Sequence, residues 1–447
     1  MARYLVALIS LLFSLNACAQ VFSVETAMAE LPVHPKGDNN VFATSFDYRD
    51  GKIFLVYVAP SNESENGMNL RTIVRKGVRQ TDGSWSWENS VLEPRTLLDP
   101  WHTQASIALD KYGYVHVAYN MHNMPWQYAV SKKPYDISAF YFLGQAVTES
   151  DLKSVKLENK TPFPHIGSGS IPGNQITYPM FFSDREKNLY VTYRYALKPA
   201  RSWENRAFAG GVARYDADLR QWSQIGGNFT ISYKDAKLMD GKSTSIQKPF
   251  AFSPGYSVYL PTLSFDVDNG MHVFWSWRKE GAGMETTHPS YAYSPDRENF
   301  FSSDGAQLLL PISVSEIKSF ADNDDRQFYA PKTVAVTPNK IPVAVFQPLS
   351  GGRELVTIDR TNDSVRIEKT PESAQNILID SAGRQWLFAT GIKVFMRETE
   401  TAQWRVVGTI GTDLCFPKAK YYSEESRFIL QAKSCHSMAM SVFTFRR

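Results

Sequence analysis

One phrase recurs along this chain: an acidic or turn residue, a short polar turn, then an alternating apolar strand rich in aromatics. It occurs seven times, as "SFDYRDGKIFLVYV" from Ser45, "ALDKYGYVHVAYNMH" from Ala108, "FSDREKNLYVTYRY" from Phe182, "SFDVDNGMHVFWSWR" from Ser264, "AVTPNKIPVAVFQ" from Ala335, "LIDSAGRQWLFAT" from Leu378 and "YYSEESRFILQA" from Tyr421. Taken at the fourth strand position after the turn, the copies fall at Tyr57, Tyr119, Tyr193, Trp275, Val345, Ala389 and Gln431. The separations run from about 40 to about 80 residues, the spacing of four-stranded blades with long loops in the first half of the chain. A β-sandwich explains the alternation but not one hairpin repeated seven times; radial repetition, which hides sheet edges, explains both. The sequence therefore predicts an all-β, seven-bladed β-propeller, with no helix longer than a turn or two. Aromatics at 13%, with 24 Pro and 26 Gly scattered rather than clustered, suit many short strands and leave no low-complexity linker between domains.

The formal net charge of +3 offers none of the basic excess that a nucleic-acid binder needs, but leaves room for a locally basic cleft. The opening "MARYLVALISLLFSLNACAQ" has an early Arg, an apolar run from Tyr4 to Leu15 and a small-residue exit, the layout of an export signal over residues 1–19. Read instead as a lipoprotein box, Leu15 to Cys18, the signal ends at residue 17 and Cys18 carries a lipid anchor to the outer membrane of a bacterium. The expectation is an exported or membrane-anchored monomer with one propeller domain over residues 20–447. Cys415 and Cys435 are then the thiols of the mature domain, and outside the cytoplasm such a pair implies a disulfide or a metal site.

Each phrase is a hairpin, so the start of its first strand lies beside the end of its second. In the second blade this places His102 and His122 at one end. In the third, "ITYPMFFSDREKNLYVTYRYA" places Tyr178 and Arg194 at the corresponding end. Alternation puts His116, Ala118, Asn120 and His122 on one strand face, with Arg194 in register with Asn120. His116 and His272 share a repeat position, as do Tyr119 and Tyr193, so these read as packing positions. His102, His122, Tyr178 and Arg194 lack same-type counterparts in most repeats, as expected of a site grafted onto a repeated scaffold. Asn120, with Tyr259 and Arg278 at the mouth of the fourth blade, are candidate substrate contacts. Trp101, Trp126 and Trp203 near the rim suit sugar stacking or loop packing.

There is no H-E-x-x-H, Gly-rich phosphate loop or G-x-S-x-G elbow, and no facing carboxylate pair for glycoside hydrolysis. A His, a Tyr and an Arg suit proton abstraction beside a carboxylate. Arg neutralises the acid and stabilises the developing enolate, a base removes the α-proton, and an acid protonates the leaving oxygen. That chemistry is β-elimination on a uronic acid.

On "WHTQASIALD" with "VAYNMH", and "TYPMFF" with "LYVTYRYA", the chain resembles the propeller-type ulvan lyases of polysaccharide lyase family 25, related to family 24. The resemblance implies cleavage of an anionic, sulfated uronic-acid polysaccharide without a catalytic cofactor. It casts His102 as base, Tyr178 as acid and as base for the epimeric uronate, Arg194 on the carboxylate and His122 in binding or orientation. It also implies a structural metal, often zinc, for which Cys415, Cys435 and His436 are the candidate ligands, with a Cys415–Cys435 disulfide as the alternative. "SPDRENFF" from Ser294 is similar to a degraded Asp-box, the structural turn of sialidase-like propellers. The rival readings are a sialidase-like glycoside hydrolase, which needs three carboxylate-gripping arginines, and a non-catalytic carbohydrate-binding propeller.

Overall fold

An Asp that opens a hairpin can cap the turn with its own carboxylate, and this local device recurs down the chain. Asp110 accepts the backbone N–H groups of Tyr112 and Tyr114, Asp184 those of Glu186 and Asn188, Asp266 those of Asp268 and Gly270, and Asp380 those of Ala382 and Arg384. The turn is fixed before any long-range packing forms. Six residues after each Asp, on the second strand, a polar ring returns to the same carboxylate. Nε2 of His116 and of His272 lie 3.3 Å from Asp110 and Asp266, the Tyr190 hydroxyl 3.2 Å from Asp184, and the Trp386 indole N–H 3.0 Å from Asp380.

The structure, a computed structural model, describes residues 23–33, 43–60, 70–96, 104–124, 126–144, 171, 176–197, 208–232, 244–280, 286–320, 328–436 and 439–446. Its hairpins extend into seven antiparallel sheets arranged as a β-propeller. Blade 1 runs from Phe46–Arg49 to Trp85–Thr96, and blade 2 from Ser106–Leu109 through Val115–Ala118 to Phe140–Gly144. Blade 3 is built on Ile176–Ser183, Leu189–Ala196 and Phe208–Asp216. Blade 4 is built on Tyr256–Phe265, Met271–Lys279 and Thr287–Ser294. Blade 5 starts at Phe328–Val336, blade 6 at Asn376–Ile379 and blade 7 at Leu414–Tyr422. The ring closes through the N-terminal strand Ser23–Pro32, which pairs with the last strand, Ala439–Arg446, so both ends of the chain complete blade 7.

Apolar clusters fill the interfaces between successive blades, and the one joining blade 7 to blade 1 holds Met28, Leu31, Phe46, Tyr57 and Ile429. Each blade thus hides both faces against its neighbours, as predicted for a propeller. Tyr119 and Tyr193 are buried in these clusters, as their repeat position implied. Among the described residues, helix is confined to single turns such as Pro371–Ser373, Thr390–Ile392 and Ser423–Glu425. The turn at Ser294 behaves as an Asp-box: Asp296 accepts the N–H groups of Glu298 and Asn299, and these bonds, with the Asn299 side chain foremost, lower its carboxyl to about 2. Asp216 accepts the N–H groups of Asp218 and Leu219 in blade 3, and Asp359 accepts that of Thr361 in blade 5, two similar turns the sequence pattern did not reveal.

Two sequence expectations are corrected. Cys415 and Cys435 are joined in a disulfide across 20 residues, with their Cα atoms 5.2 Å apart. Neither sulfur is a free thiolate, so the zinc site at Cys415, Cys435 and His436 does not fit these residues. His436 is exposed and faces Asp413 at 3.5 Å. The second correction concerns His122. The second strand of blade 2 ends at Ala118, and Asn120 turns the chain at a left-handed φ of 56° that Asn tolerates better than most residues. His122–Met124 then pairs with the first strand of blade 3, His122 opposite Thr177. Strand alternation does not carry through such a pivot, so Asn120 and His122 are not neighbours on one face of blade 2.

Candidate active site

The first strands of several blades are interrupted at the same place by a proline. Tyr178-Pro179 in blade 3, Leu260-Pro261 in blade 4 and Phe416-Pro417 in blade 7 all sit at breaks in register with the second strand. In each, the residue before proline takes a positive φ, 57° at Tyr178, 50° at Leu260 and 51° at Phe416. That region is costly for a bulky side chain, and a bulge of this kind bends the strand and re-aims the residue it carries. In blade 3 the re-aimed residue is Tyr178. It packs with Met180 and Leu260, and its ring stacks on His122 at a centroid distance of 6.2 Å and an interplanar angle of 24°.

Arg194 lies opposite Thr177, beside this bulge. Its guanidinium is covered by three rings, Phe208 at 4.4 Å, Tyr259 at 4.7 Å and Tyr178 at 4.9 Å. The residue is 1% exposed, it forms no ion pair with any described carboxylate, and its Nε and Nη1 lack hydrogen-bond partners among the described residues. A buried cation packed against three rings, with Nε and Nη1 unanswered and no carboxylate beside it among the described residues, is short of the anion that burial ordinarily demands.

Blade 4 reaches this cation because the facing strand of blade 3 is bare. Gly210, paired with Arg194, has no side chain where Val258 packs; a Cβ there would lie 2.6 Å from Val258. Gly211 makes room in the same way for the ring of Tyr193. With Val258 seated, Tyr259 reaches the Arg194 guanidinium on one side and accepts a hydrogen bond from Arg278 Nη1 at 2.9 Å on the other. Burial raises the Tyr259 pKa, but Arg194 and Arg278 together outweigh it and leave the phenol below its ordinary value. The register shows that Tyr259 matches Thr177, and Arg278 matches Ala196, so the blade 4 pair is offset from Tyr178 and Arg194 rather than equivalent to them.

The structure therefore brings His122, Tyr178, Arg194, Tyr259 and Arg278 to one mouth of the propeller, between blades 3 and 4. His102 lies outside the described residues, as do Trp101 and Trp203. Asn120 is fully buried at its pivot, and Trp126 is buried against Tyr128 at 5.3 Å, which makes Trp126 a packing residue. His116 and His272 are sealed inside blades 2 and 4, as their shared repeat position implied. Phe208 escaped the sequence reading. The repeated X-Pro in the first strands was the readable signal for the bulges.

A model of the BNR repeat-containing family matches residues 66–386. The chain belongs to this BNR-repeat family. Among curated proteins no sequence match is found. Among solved structures, the BNR-repeat chain is similar to the polysaccharide lyase Uly1, at 12% identity and a TM-score of 0.62 over 93% of this chain and 90% of that one. It is also similar to an ulvan lyase of polysaccharide lyase family PL25, at 12% identity and a TM-score of 0.57 over 93% of this chain and 94% of that one. A further structure of a PL25 ulvan lyase, bound to -[GlcA(1-4)Rha3S]-, matches at 11% identity and a TM-score of 0.57 over 94% and 95% of the two chains. At these identities the likeness is one of fold.

Proposed function

We propose that this propeller is a polysaccharide lyase that cleaves an anionic, sulfated uronic-acid polysaccharide of the ulvan type by β-elimination. The observation that carries the reading is Arg194: a buried guanidinium with no carboxylate partner and with Nε and Nη1 unanswered among the described residues, beside a phenol that a strained backbone aims at the mouth. A uronate carboxylate is the anion that fits a planar fork of this kind, because two parallel N–H···O bonds match its geometry. The likeness of fold to polysaccharide lyases supports the same class.

With the carboxylate on Arg194, charge that develops on it as C5 loses its proton is stabilised where it forms. Removing the C5 proton and breaking the C4–O bond leaves a C4–C5 double bond. The base takes one proton and the leaving oxygen receives another. Tyr178 supplies the acid, and the base for the epimeric uronate, while His102 supplies the base on the opposite face. His122, stacked on Tyr178, orients it. Tyr259 and Arg278 bind the substrate beside the scissile residue. The signal-like stretch over residues 1–19 supports export of the enzyme, free or anchored through Cys18.

The test is the mass of the products. Elimination adds no water, so each new non-reducing end should be lighter by one water than a hydrolytic end, and Tyr178→Phe should abolish these products while keeping its fold. Products of hydrolytic mass would support a sialidase-like hydrolase. Retained binding with no products would support a carbohydrate-capture propeller.

A further inference from the structure

The cationic line that begins at Arg194 does not stop at Arg278. Blade 5 carries two more basic groups at the same end of the wheel. Lys332 follows Pro331 on the first strand, within the register break between Tyr329 and Thr333. Arg353 follows the Gly351-Gly352 turn and precedes the third strand, Glu354–Asp359. Thr333 Oγ1 accepts the Ile377 N–H of blade 6, and the next residue, Val334, packs in the cluster between blades 4 and 5. In blade 4 the cross-strand pairs Tyr259–Ser276 and Ser257–Arg278 put Arg278 on the blade 4 face that looks to blade 5.

These two cations lack what other basic groups of the protein have. Lys340, Lys393 and Lys318 each meet a carboxylate. Lys332 makes no hydrogen bond or ion pair among the described residues, and Arg353 offers only Nη1, to the Gly352 carbonyl, while its buried Nε has no partner there. The register sets them at one level of blade 5, on either side of the second strand, with Thr333 opposite Val345 and Glu354 opposite Phe346. Burial first, and Arg353 second, pull the Lys332 ammonium down to about 8, and burial lowers Arg353 as well. Two like charges left together with no carboxylate partner among the described residues make a candidate site for an external anion.

We propose that Lys332 and Arg353 form an anion subsite that holds a sulfate ester on a sugar next to the uronate on Arg194. This rests on the lyase reading for the identity of the polymer, but not for the binding itself. Arg194, Arg278 and the blade 5 pair then mark a path for an alternating uronate and sulfate chain from blade 3 to blade 5.

The subsite is tested by calorimetric binding in a Tyr178→Phe background, so that no substrate is consumed. The probes are a sulfated uronate-rhamnose oligosaccharide and its chemically desulfated counterpart. Lys332→Gln and Arg353→Gln should each weaken the sulfated probe roughly tenfold and leave the desulfated one unchanged, while Lys332→Arg retains binding. In otherwise wild-type protein, Lys332→Gln should raise KM with kcat held. Binding of the sulfated probe should also weaken as pH rises through about 8, where Lys332 loses its proton, and Lys332→Arg should remove that dependence. The arginine variant isolates Lys332 from the other charged groups nearby, Arg353 and Glu354 on its own blade and Tyr259 and Arg278 on blade 4. Equal losses on both probes, no loss on either, or no binding of the sulfated probe at all would overturn the subsite. Retained sulfate-dependent binding without elimination would sink the lyase reading and leave the subsite standing.

Discussion

Blades 2 and 4 and the mouth between blades 3 and 4 use the same side chains to opposite ends. Inside blade 4, His272 is clamped between the Tyr291 hydroxyl at 2.8 Å and Asp266 at 3.3 Å, and inside blade 2, His116 Nδ1 meets the Tyr128 hydroxyl while its Nε2 lies 3.3 Å from Asp110 without a hydrogen bond among the described residues. Both imidazoles are fully buried, with their carboxylates also spent on turn amides. At the mouth, a buried guanidinium rests on three rings with two of its N–H groups unanswered among the described residues, and an imidazole stacks on a phenol beside it. Polar groups that close on one another stabilise the wheel. Polar groups held apart by the backbone are available to a ligand.

Substitutions can separate the two regions. The largest effect is expected at Arg194. Arg194→Met, close in volume and apolar, should cut kcat/KM on the polymer by roughly a thousandfold, the scale of losing an aimed charge stabiliser. It should also hold or raise Tm, because a buried charge with no carboxylate partner among the described residues gives way to packing. A fall in both would make Arg194 structural. Next comes the double variant Cys415→Ser, Cys435→Ser, which should lose about 3 kcal/mol in denaturant unfolding and not recover it on addition of zinc. Recovery with zinc would restore the metal reading. His272→Leu should cost about 2 kcal/mol by stranding the buried Asp266 carboxylate and the Tyr291 hydroxyl, with kcat unchanged. A loss of kcat there would erase the contrast.

The smallest effect is a pH slope. Burial, the largest of the influences on it, holds His272 below its ordinary value of 6.5. The unfolded chain therefore takes up that proton before the folded one does. Stability from this group is present above 6.5 and is lost as pH falls toward the folded value, so Tm should drop on acidification more steeply in wild type than in His272→Leu. Equal slopes would show that His272 does not titrate differently on folding.

The contrast also explains which parts of the molecule the sequence revealed. The blades were legible because a turn Asp and its ring partner six residues on are local in sequence, and seven copies of one hairpin exclude most other folds. His116 and His272 could be set aside because they shared a repeat position. Tyr178 and Arg194 stood out because they did not. The path of His122 was hidden, since a single left-handed residue, Asn120, breaks the alternation on which a register argument depends. The offset of Tyr259 and Arg278 was hidden by the bulge at Leu260-Pro261, which adds a residue to one strand and shifts everything beyond it. Lys332 and Arg353 gave no signal, because the lack of a carboxylate partner among the described residues is a property of three-dimensional neighbours.

The most direct measurement follows ultraviolet absorbance during incubation of the mature protein with ulvan, for wild type, Arg194→Met and His272→Leu in parallel. A steady rise for wild type and His272→Leu, from the C4–C5 double bond conjugated with the carboxylate, and none for Arg194→Met is the expected result. No rise for wild type, or an undiminished rise for Arg194→Met, would contradict the assignment of the mouth as an elimination site built around that guanidinium.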